Sequence, residues 1–275
     1  MTSPAMRLVP VDGAELQVEA TGTGEPVVLV QTALTAGELR PLADHALRNG
    51  YRRVLYHRRG YAGSSPVHGP GSIARDAADC HALLDALGIQ RAHVVGLSYS
   101  AAVALQLAAD APNLMHSLTL LEPPPVHVPS AREFRAACTR LQATRRAHGP
   151  AAALDEFMTL VMGPDWWVAV ERDLPGATEQ MQRDAATFFD TDIPALLDWQ
   201  FTAADARRIT CPVLYLGGTA SGPWFAEVRE LMLSWLPQAE NVVIAGADHA
   251  LATTHPAELA TALLRFLQRH PIKSV

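Results

Sequence analysis

The chain reads as an α/β protein with a mostly parallel sheet and helices on both of its faces. Three observations predict this. Short runs rich in branched apolar residues, such as "PVVLV", "AHVVGL" and "PVLYLGG", recur along the 275 residues, and unbroken runs of that length suit strands covered on both sides. Segments with apolar residues at helical spacing lie between them, the alternation expected of strand–helix–strand units. Hydrophobic residues make up 49% and charged residues 18%, enough for a sizeable core and too apolar for wholesale disorder.

The elements follow in order. "AELQVEA" (14–20) alternates apolar and polar residues like a half-exposed edge strand. Continuous apolar runs at 26–30, 52–57, 92–97, 117–122, 212–218 and 240–246 predict buried strands. Helices are predicted over 36–48, 72–87, 99–110, 223–236 and 256–269. The clearest is "SIARDAADCHALLDALG", with Ser72 as its cap and Gly88 as its stop. One interval breaks the rhythm: residues 123–208 carry no strand signal. It opens with the stiff "PPPVHVP" and reads as short helices around 130–148, 151–162, 176–189 and 193–207. The chain therefore divides into a core domain, 1–122 with 209–275, and a helical cap, 123–208, over the sheet's carboxyl edge. Trp166, Trp167, Phe188, Phe189, Trp199 and Phe201 concentrate there. Some of them are expected to line a ligand cavity, the rest to fill the cap's own core.

Charge and composition narrow the partners. A net charge of −6 with no lysine or arginine stripe argues against nucleic acid. The first twenty residues lack a basic region followed by an apolar stretch, and no run is long enough to span a bilayer. Cys80, Cys138 and Cys211 are odd in number and far apart, which suits buried reduced thiols better than a disulfide or metal cluster. The expectation is a cytoplasmic protein acting on a small molecule. The sequence does not reveal its oligomeric state.

The chemistry centres on "GLSYS" (96–100), between the run "RAHVV" and the alanine-rich helix "AAVALQLAAD". A strand entering and a helix leaving force Ser98 into a sharp turn, its hydroxyl at the sheet's carboxyl edge. Small residues are needed two positions either side. Gly96 and Ser100 meet that need, although glycine is the more familiar residue at the second place. The new helix also directs free N–H groups and its positive end toward charge developing beside Ser98.

On this elbow, "VVGLSYSAAVALQLA", and on "HRRGYAGSS", "LTLLEPP", "CPVLYLGG" and "AGADHALATTHP", the chain resembles the α/β-hydrolase family over nearly its whole length. It looks most like the capped esterase and lactonase-type members. The resemblance implies an α/β-hydrolase fold with a mostly parallel eight-stranded sheet and a helical cap inserted after the sixth strand. Ser98 would be the nucleophile and His249, in the loop after the last strand, its base. His57, His68, His81, His93, His127 and His255 have no such position and are expected to be structural.

The third member of the triad, a carboxylate that fixes the tautomer of His249, is ambiguous. Most family members carry an aspartate just after the strand matching "PVLYLGG". Here that loop reads "TASGP", with Ser221 at the aligned position and no acid until Glu227. The alternative family placement, the end of the preceding strand, holds Glu122, which keeps the chain order of nucleophile, acid and base. Glu122 is the expected acid. It could instead merely hold the hinge of the cap. Ser221 could support His249 by a neutral hydrogen bond, and Asp248 more plausibly anchors its own loop.

Acyl transfer also needs donors for the oxyanion. The backbone N–H of Tyr99 is one. The other is expected from the loop after "PVVLV", where the family typically has His-Gly and this chain has Gln31 and Thr32; Ala33 is the expected donor, with Leu34 the alternative. Arg58 and Arg59 are read as bracing their loop through carbonyls, with an anion site as the rival reading. The leading reading is thus a serine hydrolase acting on an ester, lactone or thioester of modest size, with no metal or organic cofactor called for. The alternative is a non-hydrolytic cyclase or lyase, or a ligand-binding protein with a relic site.

Overall fold

The computed structural model describes residues 6–272. A hairpin of β1 (Arg7–Val11) and β2 (Ala14–Thr21) precedes β3 (Glu25–Val30), α1 (Arg40–Ala46), β4 (Tyr51–Tyr56), α2 (Ile73–Ala86), β5 (Ala92–Leu97), α3 (Tyr99–Asp110) and β6 (Met115–Leu121). Six helices follow: α4 (Ala131–His148), α5 (Pro150–Met162), α6 (Trp166–Asp173), α7 (Ala177–Thr187), α8 (Ile193–Asp198) and α9 (Ala203–Ala206). A π-helical turn, Phe188–Asp192, joins α7 to α8. The chain then returns to the sheet with β7 (Val213–Gly218), α10 (Pro223–Trp235), β8 (Glu240–Ile244), α11 (Leu251–Thr254) and α12 (Pro256–Arg269).

The eight strands form one sheet in the order β1-β2-β4-β3-β5-β6-β7-β8. β2 runs antiparallel to both of its neighbours, and the remaining pairs are parallel. Side chains alternate across the central strands. Val28, Val30, Val54 and Val94 pack toward α2 and α3, whereas Val27, Leu29, Leu55 and Val95 pack toward α1 and α12. Burial on both faces is why these strands read as unbroken apolar runs.

β1 is the strand that sequence reasoning did not single out. Only Val9 of its five residues is buried and Pro10 interrupts it, so it lacks both an apolar run and a regular alternation. Its signal lay in the turn: Asp12-Gly13, with Gly13 at φ +67°, is the Asp-Gly pair that two-residue hairpins favour. Ser72 caps α2 as expected, accepting from the Arg75 N–H at 3.4 Å, and Gly88 stops it at φ +68°. The helix expected over 36–48 starts only at Arg40, with Pro41 in its first turn. The one expected over 193–207 is broken at Trp199, whose backbone is extended.

The inserted helices have an apolar centre of their own, built on Leu154, Met158, Trp166, Met181 and Phe189, and Leu34 from the loop after β3 is packed into it. Trp199 and Phe201, two of the candidates for a cavity wall, instead join Trp235 in the main core. No helix of the described residues is long and apolar enough to cross a membrane. All three cysteines are free and buried.

Several histidines serve packing, and this has a measurable consequence. Burial pushes His57 and His127 each down to about 4, whereas an exposed imidazole protonates near 6.5. Between those values the unfolded chain binds protons that the folded one refuses, so stability falls as pH drops from 6.5 toward 4. Replacing His127, which packs on Trp199 and Trp235, by phenylalanine should flatten part of that fall. About 1–2 kcal/mol of pH dependence should disappear, allowing for partial exposure. Melting curves of both proteins from pH 7.5 to 4.5 check this; parallel curves would refute it.

Candidate active site

The elbow is built at the end of β5. Ser98 sits at φ +51°, ψ −118°, a conformation L-residues avoid, and it precedes the first turn of α3. Such a residue costs about 1–3 kcal/mol, so the surroundings must hold it. The Ser98 N–H donates to the Leu121 carbonyl at 2.9 Å, tying the elbow to the end of β6. Ser100, the departure from the familiar glycine, contributes its hydroxyl: it accepts from the Leu97 N–H at 2.9 Å and donates to the Leu97 carbonyl at 3.0 Å. The added side chain therefore locks the turn. Gly96 has no such freedom, because a Cβ there would lie 2.4 Å from the Ser100 carbonyl oxygen.

His249 lies in the loop between β8 and α11, and its Nδ1 is 2.7 Å from Oε2 of Glu122. The two are 127 positions apart in sequence. With a carboxylate as acceptor, Nδ1 carries the proton and Nε2 keeps its lone pair. Phe225 stacks on the imidazole, ring centroids 4.0 Å apart and 18° from parallel, which fixes the plane of the ring.

Glu122 is 1% exposed at the carboxyl end of β6. Its Oε1 accepts from the Gly218 N–H at 2.8 Å, which orients the carboxylate toward His249. Glutamate's length spans the width of β7 at this point, and Gly217 leaves room: a Cβ there would come within 3.3 Å of Oε1.

None of the competing groups bonds the His249 ring. Asp248 accepts from the Ala250 N–H at 3.0 Å and so anchors its own loop. Ser221 Oγ is buried without a hydrogen-bond partner among the described residues. Glu227 holds the start of α4, accepting from the N–H and hydroxyl of Ser130 at 2.9 and 2.8 Å. The "TASG" loop after β7 has become an anchor for the histidine loop: the Ala220 N–H donates to the Ala247 carbonyl at 2.8 Å, and Thr219 Oγ1 accepts from the Gly246 N–H at 2.8 Å.

Two backbone N–H groups in the lining of the Ser98 cavity, those of Tyr99 and Ala33, are left without an acceptor among the described residues. Leu34, the other candidate, is at φ +63°, and its N–H is taken by the Tyr61 hydroxyl at 3.2 Å. Gln31 and Thr32 do not leave this loop slack. The Gln31 side chain accepts from the Arg58 N–H at 2.8 Å, and the Thr32 hydroxyl donates to the Leu97 carbonyl at 2.7 Å. Arg58 and Arg59 do brace carbonyls, and each also pairs with carboxylates, Arg58 with Asp76 and Asp192 and Arg59 with Asp79.

Ser98 and His249 open into a cavity of about 390 Å³ whose lining is drawn in large part from the inserted helices. Phe134, Leu141, Phe157, Met158, Phe188 and Trp224 line it, so of the aromatics singled out from the sequence only Phe188 does. Its charged lining is acidic throughout: Glu38, Asp173, Asp192 and Asp248. Burial pushes Glu38 up to about 7, against the opposing pull of His249. Nothing in the local sequence marked Glu38 or Phe225, because neither belongs to a motif and each reaches the site only through the fold. A second hollow, near His45, Arg48 and Tyr51 at the amino ends of the strands, holds no nucleophile. Among the described residues no cluster of metal-ligating side chains occurs.

Residues 25–256 match a family model described as alpha/beta hydrolase fold. A protein named "Putative carbamate hydrolase RutD" from Variovorax paradoxus is 30% identical, over 92% of this chain and 95% of its own length. The polyketide synthase ThaQ of Burkholderia thailandensis is 28% identical over 93% of this chain, which spans only 12% of that much longer protein. Among solved structures, an alpha/beta hydrolase from Sphaerobacter thermophilus is 29% identical with a TM-score of 0.75, covering 95% of this chain and 100% of that one.

Proposed function

The chain belongs to the α/β-hydrolase family, and from that premise we propose that it is a serine hydrolase cleaving small to medium carboxylic esters, lactones or thioesters. The observation that carries this reading is the Glu122–His249 hydrogen bond at 2.7 Å, made by a histidine that shares a cavity with Ser98. Ser98 Oγ attacks the carbonyl carbon as Nε2 of His249 takes its proton. The carbonyl oxygen becomes an oxyanion held by the Tyr99 and Ala33 N–H groups, each donor contributing about 10²–10³-fold. Collapse expels the alkoxide or thiolate, which receives the proton from His249 and leaves an acyl-Ser98. Water, deprotonated by the same nitrogen, attacks the acyl carbon, and as the bond to Ser98 breaks His249 returns that proton to Ser98 Oγ and the acid is released. In a lactone the leaving group stays attached, and the product is one hydroxy acid.

The lining narrows the substrate. Apolar walls suit an aliphatic or aromatic acyl or alcohol portion. No lysine or arginine is among the lining residues, so the charge of a substrate carboxylate or phosphate would be buried there without a partner, which disfavours such substrates. The carbamate hydrolase name carried by the Variovorax relative supports hydrolysis at an acyl carbonyl without naming this chain's substrate. The rival reading, a non-hydrolytic cyclase or lyase or a relic site, rests on the altered oxyanion loop and on the missing aspartate after β7; the Glu122–His249 bond weighs against the second of these grounds.

A fluorophosphonate probe tests the reading. A single adduct on Ser98, lost in Ser98→Ala, is expected. Turnover across a series of esters of equal length should favour neutral over anionic ones by at least about tenfold, a difference of roughly 1.4 kcal/mol. No adduct on Ser98 would refute the hydrolase.

A further inference from the structure

The loop that presents the Ala33 N–H is held largely by the inserted helices. Gln180 of α7 grips it at two points: its Nε2 donates to the Leu34 carbonyl at 3.0 Å, and its Oε1 accepts from the Ala36 N–H at 3.0 Å. The Leu34 side chain is buried in the insertion's apolar centre. Below it, the Tyr61 hydroxyl accepts from the Leu34 N–H at 3.2 Å and donates to Asp192 at 2.6 Å.

Asp192 closes the π-helical turn of the insertion and is 1% exposed. It takes both terminal nitrogens of Arg58, at 2.6 and 3.2 Å. Burial works against the Arg58 charge, but Asp192 and Asp76 outweigh it and keep the guanidinium protonated. The same guanidinium reaches the loop directly, Nε donating to the Gln31 carbonyl at 3.0 Å and one terminal nitrogen to that of Thr32 at 3.4 Å. It also lies 4.2 Å over the ring of Tyr99, the residue supplying the second N–H, whose hydroxyl bonds Asp76 at 2.9 Å. Both oxyanion donors therefore belong to one buried network whose outer anchors are on the insertion.

We infer that the helical insertion, besides lining the cavity, sets the oxyanion loop: Gln180 and Asp192, acting through Tyr61 and Arg58, are positioning residues for the Ala33 N–H. The physical need is visible at Leu34. With leucine rather than glycine at this position, the left-handed backbone persists only if its surroundings over-determine it, and four of the contacts that do so, the Gln180 pair, Tyr61–Asp192 and the apolar seat, come from outside the core sheet. This inference rests on the serine-hydrolase reading.

Gln180→Met and Tyr61→Phe test it. Each removes grip on the loop while leaving the Arg58–Asp192 pair intact. Sites are titrated with a fluorophosphonate so that kcat is expressed per reactive Ser98, and a trifluoromethyl ketone, which forms the oxyanion-bearing adduct, is bound to each protein. Each variant should lose about 10–100-fold in kcat with KM within about threefold, and ketone affinity should fall by a similar factor to kcat. A lower Tm with kcat per site and ketone affinity unchanged would overturn the inference and leave the hydrolase standing. Failure of the wild-type protein to titrate at Ser98 would overturn both.

Discussion

Ser98→Ala should lose about 10⁴–10⁶-fold in kcat on any ester the protein cleaves, with KM nearly unchanged. The hydroxyl makes no cap bond to the helix it precedes, so its removal leaves no buried partner unsatisfied. Alanine at φ +51° carries the same strain as serine, and the melting temperature should move by no more than a few degrees. Activity and stability are thus expected to separate cleanly, as they would not for a structural serine. His249→Ala should be nearly as severe, and the double variant no worse than the worse single one. The serine is a poor nucleophile without its base and the base has no proton to take without the serine. Losses that instead multiply in the double variant would mean that the two residues do not act as one unit.

Glu122→Gln is the second large effect, about 10²–10⁴-fold in kcat. The carboxylate has two oxygens with separate duties: Oε1 accepts from the Gly218 N–H and Oε2 from His249 Nδ1. Glutamine has one acceptor. If it serves Gly218, its NH₂ meets Nδ1 and favours the wrong tautomer, which removes the Nε2 lone pair that the proposed base needs. If it serves His249, a buried N–H of the strand is confronted by another donor, a cost of about 1–3 kcal/mol. Ser221→Ala should stay within about threefold of wild type, since Ser221 Oγ bonds none of the described residues. Kinetics of both variants on one ester decide the matter; near-full turnover by Glu122→Gln would remove Glu122 from the triad.

Sequence and structure agree best where the controlling interactions are short-range. β5, the turn at Ser98 and the helix behind it lie within nineteen consecutive residues, 92–110, so period, strain and capping could all be read in one window. The histidine loop was legible for the same reason, lying between β8 and α11. Ser100 shows the limit even there. Its size was readable, whereas its two bonds to Leu97 depend on a rotamer. The cavity wall was legible only in part: of the aromatics singled out Phe188 lines it, Trp199 and Phe201 turned to the main core, and Phe134, Phe157, Trp224 and Phe225 turned to the cavity. An aromatic residue on a short helix has an apolar face to cover whichever way it points, and only the packing of neighbouring helices chooses.

The linear order of residues was enough for the sheet class, the place of the insertion, the strained serine and the histidine loop, because backbone sterics and apolar periodicity act over a few neighbours. The partner of His249 was another matter. It turned on whether a glutamate at the end of β6 could reach across β7, which depends on strand order, register and the open space at Gly217. So did the grip of Gln180 and Asp192 on the loop at Ala33. Those contacts join residues more than a hundred positions apart, and such distances close only when the chain folds.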